Sequence, residues 1–328
     1  MKAIVYQRYG SPDVLRYEDT AKPIPGDDEV LIRVCAAALN PLDWHFVRGS
    51  PYGIRFMTGL RRPKDARLGM DVAGRVEAVG KNVKEFRAGD DVFGACRGAF
   101  ADYVCTAEAA LALKPANVTF EQAGCVSVAA FTALQGLRDI GRVQREQKIL
   151  INGAAGGVGT FAVQIGHWLG AEVTGVCSTR NAEMVRSLGA EHVIDYTRQD
   201  FTRNGERYDV IFDCIGNHSL LACRRVLVRR GIYIMVGAPS GRWIAPMDRV
   251  LRMRVLSWFV SQNLSSIMAK TNKDDLNLMA ELMQSGKVTP VIDRRYRLSE
   301  VPEALLYLEE GHARGKVVII LESGNGAN

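Results

Sequence analysis

In the first third of the chain, short runs rich in Val, Ile, Tyr, Phe and Ala lie at residues 2–6, 29–37, 71–79, 91–93 and 100–105, separated by Gly, Pro and Asp. Short β-rich runs at irregular spacing predict a compact antiparallel, barrel-like β domain. Around Phe120 the texture changes, and helical stretches alternate with strands at 147–151, 172–177, 192–195, 208–213, 231–236 and 255–260. Near-continuous apolar strands such as VIFD and IYIMVG suit a parallel sheet covered on both faces, so this stretch predicts a doubly wound α/β unit. Beyond about residue 265 the pattern predicts a helix at 273–284 and a strand at 288–292. A further helix follows, N-capped by Ser299 with Pro302 and Glu303 in its first turn and ended by Gly311. The final β-rich run, 316–321, resembles those of the first third, which assigns the tail to the β domain. The predicted division is therefore a β domain of residues 1–122 and 266–328, split by a nucleotide-binding domain of residues 123–265.

The most informative local pattern is KILINGAAGGVGTFAVQIGHWLG at residues 148–170: a strand, a glycine-rich turn and an apolar helix. Glycines there let backbone N–H groups approach a pyrophosphate at the positive end of the helix. Ala154, Ala155, Gly156, Gly157, Val158 and Gly159 form the turn, with alanine at the first glycine position of G-x-G-x-x-G. The flanking strand and helix supply the context that this motif needs. NAD-binding folds place an acidic residue about 20 positions beyond the glycines to hold the ribose hydroxyls. Ser178 stands 19 positions beyond Gly159, and it is not acidic. Ser178, Thr179, Arg180 and Asn181 offer donors that suit a 2′-phosphate, so the cofactor reads as NADP rather than NAD.

Composition narrows the class further. The 328 residues carry a net charge of +6, with 47% hydrophobic and 24% charged residues, which fits an ordinary two-domain globular chain. The basic residues form no stripe, so nucleic acid is not the expected partner. Seven cysteines include no C-x-x-C pair, which argues against a disulfide framework and for a reducing compartment. No signal-peptide pattern and no apolar run of about 18 residues stand out, so no membrane partner is expected and the cytoplasm is the expected location.

INGAAGGVG, with MKAIVYQRYGSPDVL at the start and GKVVI near the end, resembles the medium-chain dehydrogenase/reductase superfamily and its zinc-free NADPH:quinone oxidoreductase branch. ALNPLDWHFVRG, LGMDVAGRVEAVG, AGDDVFG, AAFTALQGL, LGAEHVIDY and DCIG follow in the expected order, so the resemblance covers essentially the whole chain. It implies a GroES-like β-barrel catalytic domain split by a Rossmann domain, an active site in the cleft between them, and a homodimer. For the dimer it implies pairing through the last nucleotide-domain strand, which the apolar VLSWFV around 255–260 would suit.

In zinc-dependent relatives a cysteine and a Gly-His-Glu motif hold the catalytic metal. Here Asn40 and Met70 stand at those positions, and neither is a normal zinc ligand. The four-cysteine structural lobe is also missing, so no metal is expected. Without a Lewis acid, a readily reduced acceptor such as a quinone or an α,β-unsaturated carbonyl is the expected small-molecule substrate. By resemblance, Asn40 could hydrogen-bond a substrate carbonyl, Asp43 could organise it, and His45 is the candidate proton relay, since imidazole titrates near neutral pH. Tyr52 would line the site. On the cofactor side the resemblance points to Thr132 near the nicotinamide carboxamide and Tyr196 beside the 2′-phosphate. Cys214, Gly216 and Gly237 would lie at the strand ends where open parallel sheets bind ligands. The basic run 51–68, with Arg55, Arg61, Arg62, Lys64 and Arg67, reads either as a lid steering an anionic substrate or as a solvated loop. A zinc-type NAD(P)-dependent alcohol dehydrogenase and a low-turnover NADPH-binding, redox-responsive protein are the competing functions.

Overall fold

The structure is a computed structural model that describes residues 1–237 and 247–321. It divides into two units, Met1–Val128 with Thr271–Asn328, and Ala129–Lys270. The first unit opens with seven strands: β1 (Lys2–Val5), β2 (Arg16–Asp19), β3 (Glu29–Ala38), β4 (Asp71–Val79), β5 (Asp91–Ala95), β6 (Tyr103–Ala107) and β7 (Leu111–Leu113). The second carries β8 (Lys148–Asn152), β9 (Glu172–Cys177), β10 (His192–Asp195), β11 (Tyr208–Asp213), β12 (Leu227–Met235) and β13 (Asn263–Ser266). The chain then returns to the first unit with β14 (Ile292–Arg297) and β15 (Lys316–Ile320).

In the first unit the sheet runs β14-β15-β3-β4-β5-β7, with β6 paired to β3. The long strand β3 makes this possible: β6 pairs its first half, Glu29 to Arg33, and β15 its last residues, Ala36 to Ala38. The tail thus completes the sheet that the first third of the chain begins. Ile32, Val34, Val72, Val76, Leu111, Val317 and Ile319 meet in one buried core that draws on both ends of the sequence.

The second unit is a six-stranded, all-parallel sheet in the order β10-β9-β8-β11-β12-β13. Numbered within the unit this is 3-2-1-4-5-6, the doubly wound order, with the reversal between β8 and β11. Ile149, Leu150, Ile151, Val210, Ile211 and Phe212 are almost fully buried, as strands covered on both faces require.

Three expectations change. Residues 255–260 form no strand: Val255 and Leu256 lie in the last turn of the helix Met247–Leu256, and Trp258 and Phe259 stand exposed beyond it. The sixth strand is the polar Asn263–Ser266, which as an edge strand needs only one neighbour and no apolar run. The stretch 288–291 precedes β14 rather than forming part of it, with Val288 buried beneath the turn that follows the helix Lys273–Gln284. Ser299 is not an N-cap but lies inside the 3-10 turn Leu298–Glu300, where the Glu300 carboxylate accepts the Arg297 N–H at 2.7 Å; the α-helix begins at Val301. Among the described residues no helix is long and apolar enough to cross a membrane.

Candidate active site

The glycine turn joins β8 to the helix Gly157–Trp168, whose N-cap, Gly156, carries no side-chain cap. Gly153 makes the tight turn with φ +86, and the N–H groups of Gly153 and Ala154 both donate to Val176 O at the end of β9. Alanine is therefore tolerated at 154, because the left-handed residue lies one position earlier. Ala154 and Ala155 are buried under the turn, whereas Gly156, Gly157 and Val158 are half-buried. Gly159 is the packing glycine: a Cβ there would lie 2.1 Å from Gly153 O. At Gly156 the nearest atom to a Cβ would be Gly153 O at 3.5 Å, so that face of the turn is open. An uncapped helix N-terminus with an open glycine face fits a dinucleotide pyrophosphate.

Beyond β9, Ser178 precedes the 3-10 turn Thr179–Asn181. Ser178 is half-buried, while Thr179 and Arg180 are exposed. Asn181 is buried and turns back to donate to Ser178 Oγ at 3.3 Å, so its amide does not reach outward. The Thr179 hydroxyl donates to the Asp195 carboxylate. Of the four donors read from the sequence, Thr179 and Asn181 are thus turned to Asp195 and Ser178, while Ser178 is half-buried and Arg180 lies exposed on the turn. Tyr196 is 59% exposed beside them, its N–H bonded to Cys177 O.

A buried network that sequence reasoning missed spans the reversal point. Asp213, at the end of β11, accepts from Asn152 Nδ2 (2.8 Å), Gly216 N (2.8 Å), Ile215 N (3.2 Å) and Tyr233 Oη (2.7 Å). Arg249 donates to Tyr233 Oη at 2.6 Å and to Gly216 O at 2.7 Å. Together these bonds fix the glycine turn and the Cys214–Gly216 turn at the carboxyl ends of neighbouring strands. Cys214 is half-buried with no base bonded to it, and its N–H donates to Asn152 O at 3.0 Å. Gly237 packs against it, since a Cβ there would lie 2.1 Å from Cys214 O. Thr132 is half-buried in the helix Ser127–Gln135.

The first unit holds a second buried cluster. Asn40 precedes the helix Pro41–Arg48, and its backbone N–H donates to Asp43 Oδ2 at 2.8 Å; Gly69 N donates to Asp43 Oδ1 at 3.3 Å. The Asn40 amide donates to Asp71 Oδ2 at 3.0 Å and Ala38 O at 3.4 Å, and its Oδ1 accepts from Lys316 Nζ at 2.6 Å. Lys316 Nζ also donates to Asp71 Oδ2 at 3.1 Å, and Val128 N donates to Asp71 Oδ1 at 2.8 Å. Both ends of the Asn40 amide are thus occupied inside the protein, and at 2% exposure it does not reach out to a substrate carbonyl. That reading of Asn40 is corrected: it links the Asp71–Lys316 ion pair to the helix that carries Asp43. Burial pushes the Asp43 carboxyl up to about 7, with the nearby Asp71 adding to the rise and Lys316 opposing it.

His45 does not meet Asp43. Two residues apart on a helix, their side chains diverge by about 200°, and His45 Nδ1 lies 2.6 Å from Ser50 O with its ring stacked on Trp44. That bond leaves Nε2 as the ring's open nitrogen, and burial lowers the His45 pKa. Tyr52 is half-buried and stacks under the Arg55 guanidinium at 4.8 Å, apart from Asp43. Of the basic run, Lys64 and Arg67 wall a pocket of about 120 Å³ together with Thr58, Asp65 and, from outside the run, Arg97, and Asp43 and Met70 also reach it; Arg55, Arg61 and Arg62 do not line it. Asp65 takes Arg67 in a two-pronged pair at 2.9 and 3.0 Å.

A doubly wound sheet with a glycine turn, set into a β-rich unit that the C-terminal strand completes, defines a dinucleotide-binding protein of dehydrogenase architecture. Comparison with known proteins agrees. The family model for the alcohol dehydrogenase GroES-like domain matches residues 26–116, and that for zinc-binding dehydrogenases matches residues 188–319. The chain is 34% identical to 2-methylene-furan-3-one reductase of Solanum lycopersicum and 35% identical to the chloroplastic NADPH-dependent alkenal/one oxidoreductase of Arabidopsis thaliana. Each alignment covers 97% of this chain and 79% of the relative. Among solved structures, the quinone oxidoreductase from Coxiella burnetii superposes with a TM-score of 0.86 at 30% identity over 98% of this chain and 99% of that one. The Escherichia coli quinone oxidoreductase complexed with NADPH gives 0.84 at 25% identity over 98% and 100%. The chain belongs to the medium-chain dehydrogenase/reductase superfamily, in its quinone oxidoreductase-like branch.

Proposed function

We propose that this chain reduces α,β-unsaturated carbonyls or quinones with NADPH and does so without zinc. The observation that carries the zinc-free reading is the Lys316 ammonium, 2.6 Å from Asn40 Oδ1. Where zinc-dependent relatives place their first metal ligand, this chain has an amide already bonded to a buried cation, and Met70 replaces the histidine. Asn40, Met70 and a neighbouring ammonium do not make a zinc donor set, despite the name of one matching family model. The open glycine turn supports NADPH binding, with Ser178 and Arg180 receiving the 2′-phosphate. NADPH supplies the hydride from C4 of its nicotinamide. An acceptor already polarised by conjugation needs no Lewis acid, and relatives named for alkenal, furanone and quinone reduction support that substrate class.

Asp43 and His45 are the candidate proton groups of the first unit. His45 keeps Nε2 open and is the one of the two that could meet a substrate; Asp43, protonated over part of the working range, is fully buried in the pocket wall and would act only through its neighbours. A homodimer is supported by the exposed Leu251, Trp258 and Phe259 on the segment preceding the edge strand β13. Seven free thiols suit a reducing compartment such as the cytoplasm.

The test is steady-state NADPH oxidation with a short enone and an ortho-quinone as acceptors, with and without a strong chelator. Turnover that survives the chelator supports the reading. Turnover abolished by chelation and restored by zinc would overturn it in favour of a zinc alcohol dehydrogenase, and NADPH binding without any turnover would favour a redox-responsive binding protein.

A further inference from the structure

The residue that follows β9 is not acidic, yet a carboxylate reaches the same corner from the neighbouring strand. Asp195 ends β10 and is the register partner of Cys177, the last residue of β9. One carboxylate oxygen accepts the Thr179 hydroxyl; the other accepts the Thr197 N–H at 3.0 Å and its hydroxyl at 2.8 Å. Arg198 Nε lies 3.6 Å away on a largely exposed side chain. The Thr179 hydrogen bond, those of Thr197 and the Arg198 charge hold the Asp195 carboxyl below its ordinary range, so it stays ionised at any working pH.

Two consequences follow for the cofactor. The Thr179 proton is directed to Asp195, so Thr179 offers an anion no donor. A negative charge also sits one hydrogen bond away from the turn that carries Arg180. NADPH brings a phosphate of about −1.5 to −2 charge to that corner, whereas NADH brings a neutral hydroxyl. We propose that Asp195 is a specificity-determining residue that holds down the preference for NADPH, so that the chain uses NADH as well. This rests on the assignment of residues 178–180 to the adenosine ribose. At dielectrics from about 20 near a protein surface to about 80 in water, two unit charges about 6 Å apart change an equilibrium by roughly 100-fold down to roughly 3-fold, and the Arg198 charge beside Asp195 offsets part of that, which leaves an effect on the order of tenfold. Arg180 attracts the phosphate and Asp195 repels it, and the observed preference is the difference between the two.

The experiment measures dissociation constants for NADPH and NADH on the full chain and its Asp195→Asn, Thr179→Val and Arg180→Ala variants. Asp195→Asn keeps the side chain's size and one oxygen, puts an amide nitrogen in place of the other oxygen, and removes the charge. It is expected to shift the NADPH:NADH affinity ratio about tenfold toward NADPH, with the shift shrinking as salt rises from about 0.05 to about 0.5 M. Thr179→Val keeps the charge and is expected to give no such shift; an equal shift in that variant would assign the effect to the hydroxyl and overturn the charge argument. An unchanged or lowered ratio in Asp195→Asn overturns the proposal. Arg180→Ala separates the two levels of the argument, because equal losses for both cofactors there would show that the corner itself is misplaced, whereas a loss confined to NADPH leaves Asp195 alone on trial.

Discussion

Substituting alanine at Gly156 separates cofactor binding from folding. Gly156 has φ −84 and ψ 177, an extended conformation open to any residue. A Cβ there would meet nothing closer than Gly153 O at 3.5 Å, an ordinary contact. Alanine is a poorer N-cap than glycine, but it also restricts the unfolded chain, and these opposed terms leave a net cost below about 1 kcal/mol. The methyl would project from the open face of the turn, where a pyrophosphate must approach the backbone. Losing one charged hydrogen bond costs about 1.5–3 kcal/mol, or about 10- to 100-fold in Kd. Gly159→Ala is the contrasting variant: its Cβ would lie 2.1 Å from Gly153 O and 2.9 Å from Ala154 C, both backbone atoms that cannot swing aside. Thermal unfolding of the apoprotein and NADPH fluorescence titration are the assays. Gly156→Ala should unfold within about 2 °C of the parent and bind NADPH at least tenfold more weakly, while Gly159→Ala should lose stability first. Parental NADPH affinity in Gly156→Ala would refute the placement of the pyrophosphate.

Asp71→Asn or Lys316→Met leaves one buried charge without its partner and should cost about 3–5 kcal/mol in denaturant unfolding, and the double variant should recover much of that loss. Asp43 titrates near 7 in the fold against 3.8 as its ordinary value, so the folded state binds the extra proton between those limits and stability should fall as pH rises from about 4 to about 7. Asp43→Asn, followed by urea unfolding across that range, should flatten the slope; the Asp71 and Lys316 charges face the same carboxyl and stay in place. His45→Phe should lower turnover about 100-fold with NADPH affinity unchanged if Nε2 passes the proton, and unchanged kcat would return His45 to its structural bond with Ser50.

Local, contiguous signals were legible in the chain, and long-range pairings were not. The strands Glu172–Cys177, Tyr208–Asp213 and Asp71–Val79 could be read residue by residue, because apolar runs between turn residues leave little choice of element. The glycine turn was equally plain, although its working left-handed residue is Gly153 and not the motif's first position. The sixth parallel strand escaped because Asn263–Ser266 is polar and VLSWFV nearby is more apolar. Asp71 and Lys316 lie 245 positions apart, and a charge at the head of a strand reads as surface until the partner strand is known. Asp195 was hidden in the same way: register with β9, not sequence distance, brings it to Thr179. Asn40 stood out at a ligand position of relatives, but the ammonium bonded to its oxygen comes from the last strand.

The central claim is hydride transfer from NADPH to a conjugated acceptor, and isotope tracing tests it most directly. With NADPH deuterated at the transferred C4 position and a short enone in ordinary water, the account predicts a saturated ketone with one deuterium on the β-carbon and a solvent proton on the α-carbon. Oxidation of the labelled cofactor that leaves the enone unreduced, or a product with no deuterium, would contradict it.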